Sequence, residues 1–258
     1  SVCNTTIAAQ QIVSKKNHSA VAVKAVAATC TKTGLTEGSK CSVCDTVIKA
    51  QTVVAKKAHS YKTTTTKATL SKNGKTVKKC TACGTVASTT TIYAAKTVKL
   101  SKATFTYTGK TIKPSLVVKT SKGKTISSSN YTVSGTASTK KIGKFKITVK
   151  FKGNYSGTKT LYYTINPKTV ASLKLKAGKK QMTVSWSKDK SVGGYEIVYA
   201  TNSKFTKGKK TTKVTTASKT FKKLTSKKTY YVKVRAFKKD GKKNYYGAYC
   251  KVKKIKIK

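Results

Sequence analysis

Acidic residues are almost missing from this chain. Its 258 residues include five Asp and Glu against 57 Lys and Arg. The five acids are Glu37, Asp45, Asp189, Glu196 and Asp240. They are so widely spaced that no local pair of carboxylates exists for glycoside hydrolysis. The formal net charge of +52 instead predicts attraction to polyanions, because a strongly cationic surface gathers anionic partners.

Three further absences narrow the function. Arginine occurs only at Arg235, whereas sequence-specific reading of DNA depends mainly on Arg side chains that bind guanine. No apolar run approaches the length of a membrane-spanning helix, which is about 20 residues, and no Gly-x-x-x-x-Gly-Lys phosphate loop is present. We therefore predict no transmembrane segment, no sequence-specific nucleic-acid binding and no enzymatic activity.

Residues 1–92 contain three copies of a Cys-containing repeat. Cys41-Ser-Val-Cys44 matches Ser1-Val-Cys3 at an offset of 41 residues, and Cys80-Thr-Ala-Cys83 belongs to a degraded third copy. A fixed period of this length is typical of an array of small modules. The first copy lacks its front half, so we expect the chain to be part of a longer protein.

The complete copy carries residues that suit either a metal or disulfides. They are His18, Cys30, Cys41, Cys44 and His59. Three thiolates and an imidazole with a Cys-x-x-Cys pair fit tetrahedral structural zinc, which small units often need in order to fold. An exported protein favours disulfides instead, although seven cysteines are an odd number. Free thiols are the third alternative.

The third copy offers fewer ligands. Leu70 stands where the complete copy has Cys30, and no His follows Cys83. Only His59, Cys80 and Cys83 remain as candidates there. A weaker zinc site and a Cys80–Cys83 disulfide both fit this set. A Cys–His nucleophile pair is formally available in Cys44 and His59, but both lie in a repeated unit, where a residue is more often a scaffold ligand than a catalyst.

Residues 93–168 follow a different pattern. Apolar residues alternate with Thr, Ser and Lys, as in Phe145-Lys-Ile147-Thr-Val149, and Gly-containing turns separate the runs. Period-two alternation over short runs predicts half-buried strands, and strands at this spacing are typical of an antiparallel sandwich.

Motifs in the same region resemble a known family. Tyr107-Thr-Gly109-Lys-x-x-Lys-Pro114, Asn130-Tyr131-Thr-Val133 and Gly153-Asn154-Tyr155-Ser-Gly157 are similar to the bacterial immunoglobulin-like modules of secreted proteins from gut Firmicutes. The resemblance implies a β-sandwich and an extracellular setting.

Residues 169–258 carry a third set of motifs, which begins after Pro167. Val184-Ser-Trp186, Gly194-Tyr195-Glu-Ile197-x-Tyr199 and Leu224-x5-Tyr230-x-Val232 resemble a fibronectin type III domain. We expect Trp186 at the centre of the core and the Tyr230 hydroxyl bonded back to the chain. Cys250 is expected to be a lone thiol without a role.

The expected fold is therefore mostly β, with small Cys-rich repeats followed by two antiparallel β-sandwich domains. Lysines that alternate with apolar residues usually form a solvated outer face, yet such a face does not require the near absence of acids. We predict a secreted or wall-associated, extracellular segment that acts as a spacer or adhesin. Its expected partners are anionic polymers such as wall teichoic acid, acidic host glycans and extracellular DNA.

Two alternatives remain at this point. Exposed sheet edges would allow self-association, with the modules as protomers of an extracellular filament joined by strand addition. The chain would equally suit the anchoring tail of a larger secreted enzyme.

Overall fold

The computed structural model describes residues 14–258 and is nearly all β, as the alternating pattern predicted. The partial first copy with Cys3 lies outside the described residues. Two compact units are distinguished: a first unit of residues up to 65 together with 76–90, and a second unit of 66–75 together with 91–258. The module boundaries at residues 92 and 168 stay a prediction. Within residues 14–258, no helix has the length and hydrophobicity needed to cross a bilayer.

The first unit consists of short strands in small sheets. The strands are β1 (Ala20–Val23), β2 (Gly34–Leu35), β3 (Gly38–Cys41), β4 (Val47–Lys49), β5 (Val53–Val54), β6 (Tyr61–Thr66), β7 (Gly74–Cys80) and β8 (Val86–Ile92). They form sheets in the orders β1-β3-β4, β2-β5 and β6-β7-β8. Each Cys-x-x-Cys pair begins at the end of a strand, β3 for the first pair and β7 for the second.

The described part of the first unit has almost no apolar core. Its buried apolar side chains are Ala28, Cys41 and Cys80. Larger apolar side chains in the same unit face solvent, including Val43 at 86% and Val53 at 70% exposure. Hydrophobic burial therefore contributes little to its stability, since burial stabilises in proportion to the apolar area removed from water.

The turn that contains Thr69 and Lys72 has the same local structure as the turn Ala28–Gly34. In the turn Ala28–Gly34, Thr29 N donates to Lys32 O at 2.9 Å, and the same bond joins Thr69 and Lys72 at 2.9 Å. Both turns end in a glycine that fits no side chain. A Cβ on Gly34 would lie 2.4 Å from a backbone oxygen, and one on Gly74 would lie 2.2 Å from another.

The second unit begins with a sandwich of two sheets. Its strands are β9 (Thr97–Leu100), β10 (Thr104–Thr106), β11 (Leu116–Lys119), β12 (Tyr131–Gly135), β13 (Gly143–Phe151) and β14 (Thr158–Asn166). Sheet β10-β14-β13-β12 faces sheet β11-β9 across one buried cluster. Ile147 and Val149 of β13 and Tyr163 of β14 meet Val98 and Val118 of the smaller sheet in that core. A single 3-10 turn, Ser128–Asn130, precedes β12.

The remaining strands form a second sandwich. They are β15 (Lys174–Gly178), β16 (Gln181–Ser185), β17 (Gly194–Ala200), β18 (Lys210–Val214), β19 (Ser218–Phe221), β20 (Thr229–Asp240), β21 (Lys243–Tyr246) and β22 (Lys253–Lys256). Sheet β15-β16-β19 faces sheet β18-β17-β20-β21, and β22 pairs with β20. Trp186 is buried against Tyr195, with ring centroids 5.1 Å apart. The Tyr230 hydroxyl accepts the Thr225 N–H at 3.2 Å, so both sequence expectations for this core are confirmed.

The outer face of the larger sheet holds a buried ion pair among aromatic rings. Glu196 of β17 accepts hydrogen bonds from Arg235 Nε at 2.8 Å and from the Tyr249 hydroxyl at 2.6 Å. The Arg235 guanidinium lies 4.0 Å from the Tyr246 ring centroid, and Lys233 Nζ lies 4.5 Å from that of Tyr249. In cation–π contacts of this kind the ring quadrupole attracts the cation electrostatically.

We predict that Glu196→Gln destabilises the protein by about 1–2 kcal/mol, because the substitution replaces charge-assisted hydrogen bonds with neutral ones. Burial of the carboxyl raises its pKa, but the bonds from Tyr249 and Arg235 outweigh burial and leave the pKa below its ordinary value of 4.5. This contribution is therefore present above about pH 4.5 and is lost as the pH falls through the lowered folded pKa.

Urea unfolding of both proteins between pH 7 and pH 3, followed by Trp186 fluorescence, measures this difference. Asp240→Asn is the matched control, since it removes an equal charge from an exposed side chain that forms no ion pair among the described residues. A difference between wild type and Glu196→Gln that is constant down to pH 3 would contradict the assignment.

Candidate metal centres and a cationic cleft

Four cysteine and histidine side chains of the first unit come together in one cluster. In this four-ligand cluster, Cys30, His59, Cys80 and Cys83 place their ligand atoms within 4.8 Å of one another. Cys30 Sγ lies 3.9 Å from Cys80 Sγ, and Cys83 Sγ lies 3.4 Å from His59 Nδ1. Cys80 is buried, while the other two cysteines are half-buried.

These separations fit a tetrahedral zinc ion. Zn–S and Zn–N bonds of about 2.3 and 2.05 Å place two sulfurs about 3.8 Å apart and a sulfur and a nitrogen about 3.6 Å apart around a tetrahedral ion. The observed distances of 3.9 and 3.4 Å agree with these edges. A disulfide, by contrast, needs two sulfurs about 2.05 Å apart, and the six described cysteines are all free.

Three more candidate ligands form a second group. In this three-ligand cluster, His18, Cys41 and Cys44 also place their ligand atoms within 4.8 Å of one another. Cys44 Sγ lies 3.4 Å from His18 Nδ1. Cys41 is buried, whereas His18 and Cys44 are exposed. One imidazole and two thiols suit a tetrahedral zinc ion as well, and they fill three of its four coordination positions.

Local backbone structure positions both Cys-x-x-Cys pairs in the same way. Asp45 N donates to Cys41 O at 3.1 Å, and Gly84 N donates to Cys80 O at 3.0 Å. The residue after each pair has a positive φ, 55° at Asp45 and 77° at Gly84. Asn, Asp and Gly tolerate this left-handed conformation best, which explains the residue types at the two positions.

Backbone N–H groups point at the first sulfur of each pair. The N–H groups of Val43 and Cys44 help to lower the pKa of Cys41 to about 6. The N–H of Cys83, then the imidazole of His59, lower the pKa of Cys80 to about 6. A thiolate that accepts such bonds is stabilised relative to the thiol, and the thiolate is the form that binds a metal.

Hydroxyl groups support the second sulfur of each pair. Thr46 Oγ1 lies 3.2 Å from Cys44 Sγ, and Thr85 Oγ1 lies 3.2 Å from Cys83 Sγ. Outer-shell hydrogen bonds of this kind orient ligand atoms and tune a metal site. The two clusters therefore share their backbone turn, their His Nδ1 contact and their outer-shell hydroxyl.

The grouping differs from the one that the sequence suggested. Cys30 was grouped with Cys41 and Cys44, but it lies instead beside Cys80, 50 residues further along the chain. His59 was shared between two copies and lies with Cys83. The reason is topological, since the turn that carries Cys30 faces the start of the next repeat, where Lys57 N donates to Thr29 O at 3.0 Å.

A cleft in the second unit brings lysines from two sandwiches together. It has a volume of about 590 Å³ and lies between the loop before β13 and the end of β20. The residues that line this cationic cleft are Tyr107, Lys140, Lys141, Ile142, Phe145, Ser191, Lys238, Lys239 and Asp240. The lining thus combines four lysines and one acid with the apolar side chains of Ile142 and Phe145.

Sequence reasoning did not find the cleft. Lys140 and Lys239 are 99 positions apart and belong to separate sandwiches. Lysine pairs are so common in this chain that no local signal distinguishes these two. Only the packing of Tyr245 and Val192 against the core of the preceding sandwich brings the two lysine pairs close together.

Comparison with protein families identifies one segment. Residues 166–248 match the Fibronectin type III domain, which confirms the resemblance inferred from the Trp186 and Tyr230 motifs. The match covers the second sandwich from β15 to β21, and the immunoglobulin-like resemblance of the first sandwich stays a prediction. The comparison with curated proteins finds no match.

Three solved structures are similar to this chain at low sequence identity. A myokine structure is 18% identical with a TM-score of 0.31 and covers 36% of this chain and 98% of its own. The FN1–FN3 domains of chicken CNTN1 are 15% identical with a TM-score of 0.33, covering 72% of this chain and 77% of theirs. A redesigned β-sandwich protein is 15% identical with a TM-score of 0.29, covering 35% and 94%.

Proposed function

We propose that this chain is a non-enzymatic segment of an exported protein, in which a series of β-modules acts as a spacer and binds anionic polymers. Its small repeats hold structural zinc. The fibronectin type III domain at residues 166–248 supports a modular, extracellular type of protein. The lysine surface supports the choice of partner.

The observation that carries the proposal is uncompensated positive charge. Three of the five acids already pair with basic residues: Asp45 with Lys40, Asp189 with Lys168, and Glu196 with Arg235. Almost all the other basic residues therefore lack an acidic partner in the chain. Such a surface binds polyanions through release of their counterions, and its self-repulsion falls when a polyanion is bound.

The polymers with the right chemistry carry repeated phosphate, sulfate or carboxylate groups. Wall teichoic acid, acidic mucin glycans and extracellular DNA all do so. The cationic cleft supports more than diffuse attraction, because Lys140, Lys141, Lys238 and Lys239 line it together with Phe145 and other apolar side chains. An aromatic floor can stack on a sugar or base while the ammonium groups meet its anions.

Structural zinc explains how the first unit folds without a core. Units this small usually need a metal or disulfides, and no cluster of buried apolar side chains forms within its described residues. Four protein ligands fill the positions of a tetrahedral metal and leave none for a substrate. The Cys44–His18 contact belongs to the three-ligand cluster, which supports a ligand role over a nucleophilic one.

We predict that removal of zinc unfolds the first unit and leaves the second intact. A chelator should increase amide hydrogen exchange within residues 20–65 and 76–90, because metal binding supplies the folding free energy of such units. Strands from β9 to β22 have apolar cores and should keep their protection. Hydrogen-exchange mass spectrometry with and without chelator, followed by zinc addition, gives the result.

Cys80→Ser should reproduce the effect of the chelator at the four-ligand cluster. Cys250→Ser is its control, because Cys250 is buried in the second sandwich and belongs to neither cluster. Less than about half an equivalent of zinc in protein purified without chelator, with unchanged exchange, would refute structural zinc.

We predict that the cationic cleft is a preferred binding site for polyanions. Changing Lys140, Lys141, Lys238 and Lys239 to Gln should weaken binding to teichoic acid, mucin and duplex DNA across a salt series. For DNA, each lost phosphate contact lowers the slope of log K against log salt by about 0.9, so four contacts lower it by about 4.

The matched control changes four exposed lysines of the second sandwich, Lys222, Lys223, Lys227 and Lys228, to Gln. It removes the same charge outside the cleft. Charge-matched polylysine provides the reference for nonspecific attraction. Equal losses in the two variants, with salt curves that follow polylysine, would show that binding is diffuse and that the cleft has no special part in it.

A further inference from the structure

The four ligands of the first unit come from two successive repeats. Cys30 lies in the turn that precedes Cys41 and Cys44, so it belongs to the earlier repeat. His59, Cys80 and Cys83 belong to the next one. The three-ligand cluster follows the same order, with a histidine ahead of its Cys-x-x-Cys pair, but no cysteine from an earlier turn lies there among the described residues.

Backbone contacts place Cys30 at the boundary between the repeats. Strand β2 pairs with β5 through Gly34–Val54 and Leu35–Val53. The chain then runs past the turn, where Lys57 N donates to Thr29 O at 3.0 Å. Only one residue separates Lys57 from His59, so the imidazole is placed next to the Cys30 side chain as the following repeat begins.

The corresponding turn in the following repeat carries an apolar residue instead of the cysteine. Leu70 stands at the position of Cys30 and packs against the core of the first sandwich in the second unit. A Cβ on Gly157 would lie 3.6 Å from Leu70 Cγ. Ala68 N donates to Asn154 O at 3.0 Å, and Ser156 N donates to Ala68 O at 2.9 Å.

No Cys-x-x-Cys pair follows Cys80 and Cys83 in the chain. The offset from Cys41 and Cys44 to Cys80 and Cys83 is 39 residues, and the residues 39 positions further on are Lys119 and Lys122, which offer no thiolate. A cysteine in place of Leu70 would therefore have no partner ligands to join. The residue type at this position matches the module that comes after its own repeat. Cys30 is a thiol, and its repeat is followed by a second Cys-x-x-Cys repeat; Leu70 is apolar, and its repeat is followed by a sandwich with a hydrophobic core.

We infer that the metal is a cross-link between successive repeats. The cysteine of one turn completes the tetrahedral centre of the next repeat, and Leu70 ends the series by replacing the metal bond with apolar packing. This inference rests on the proposed zinc binding. The ligand is a thiophilic divalent cation, Zn²⁺, held by three thiolates and one imidazole.

Cobalt substitution in the full 258-residue chain tests the ligand set, because Co²⁺ takes the same tetrahedral site and its sulfur-to-metal absorption reports the number of thiolates. Cys30→Ser should reduce this absorption at the four-ligand cluster by about one third, from three thiolates to two. It should also weaken cobalt binding there by tenfold or more. Leu70→Cys is the matched control and should change neither.

Hydrogen exchange in a remote variant tests the cross-link itself. Cys83→Ser alters only the later repeat, yet it should increase exchange in residues 28–36 of the earlier one to the extent that chelation does. Cys44→Ser alters the three-ligand cluster and should leave the exchange of residues 76–90 as in wild type. An effect of Cys83→Ser confined to residues 59–92 would overturn the cross-link.

A measurement on unaltered protein keeps the test independent of variant folding. Zinc is titrated into the metal-free chain, and alkylation of each cysteine is read by peptide mass spectrometry. Cys30 should become protected at the same zinc equivalent as Cys80 and Cys83. No protection of any cysteine refutes the proposed zinc binding, whereas protection of Cys80 and Cys83 without Cys30 refutes the cross-link alone.

Discussion

The near absence of an apolar core in the first unit is the constraint on which the rest of its structure depends. Short strands with exposed valines gain little from burial, and folding still costs about 1–2 kcal/mol of backbone entropy per ordered residue. A set of thiolates around a metal supplies a large local free energy from few residues. In the proposed zinc centres, the turns of this unit position the sulfur and imidazole groups.

The two sandwiches satisfy the same requirement in another way. Strands of five to twelve residues, such as β16, β17 and β20, place alternate side chains in a shared core around Trp186, Tyr195 and Val232. The thiol of Cys250 accordingly serves as a buried apolar group that accepts the Val234 N–H at 3.3 Å. Leu70 packs against an apolar core as the side chains of the sandwiches do, although its turn contains the same backbone hydrogen bond as the Cys30 turn.

The high positive charge of the chain does not determine its fold. Lysine side chains on the outer faces of sheets protect edges from aggregation and leave the cores unchanged, so a net charge of +52 is compatible with ordinary sandwiches. A few cations are placed over aromatic rings, as at Lys233 and Arg235. Other lysines are not placed over a ring. Among these, only the surroundings distinguish a solvated lysine from one that lines the cationic cleft.

The sequence alone determined the fold class, the fibronectin type III domain and the types of residue that would ligate a metal. Period-two alternation and the Trp186 and Tyr230 motifs are local, and local patterns decide which face of a strand is buried. The tertiary structure alone decided which ligands meet. Cys30 lies beside Cys80 rather than Cys41, and Lys140 and Lys239 line the same cleft. These partners are 50 and 99 residues apart in the sequence, so their contacts depend on how the turns and the sandwiches pack. A repeat specifies the shape of each unit, but the contacts across its boundary depend on the neighbour against which it folds.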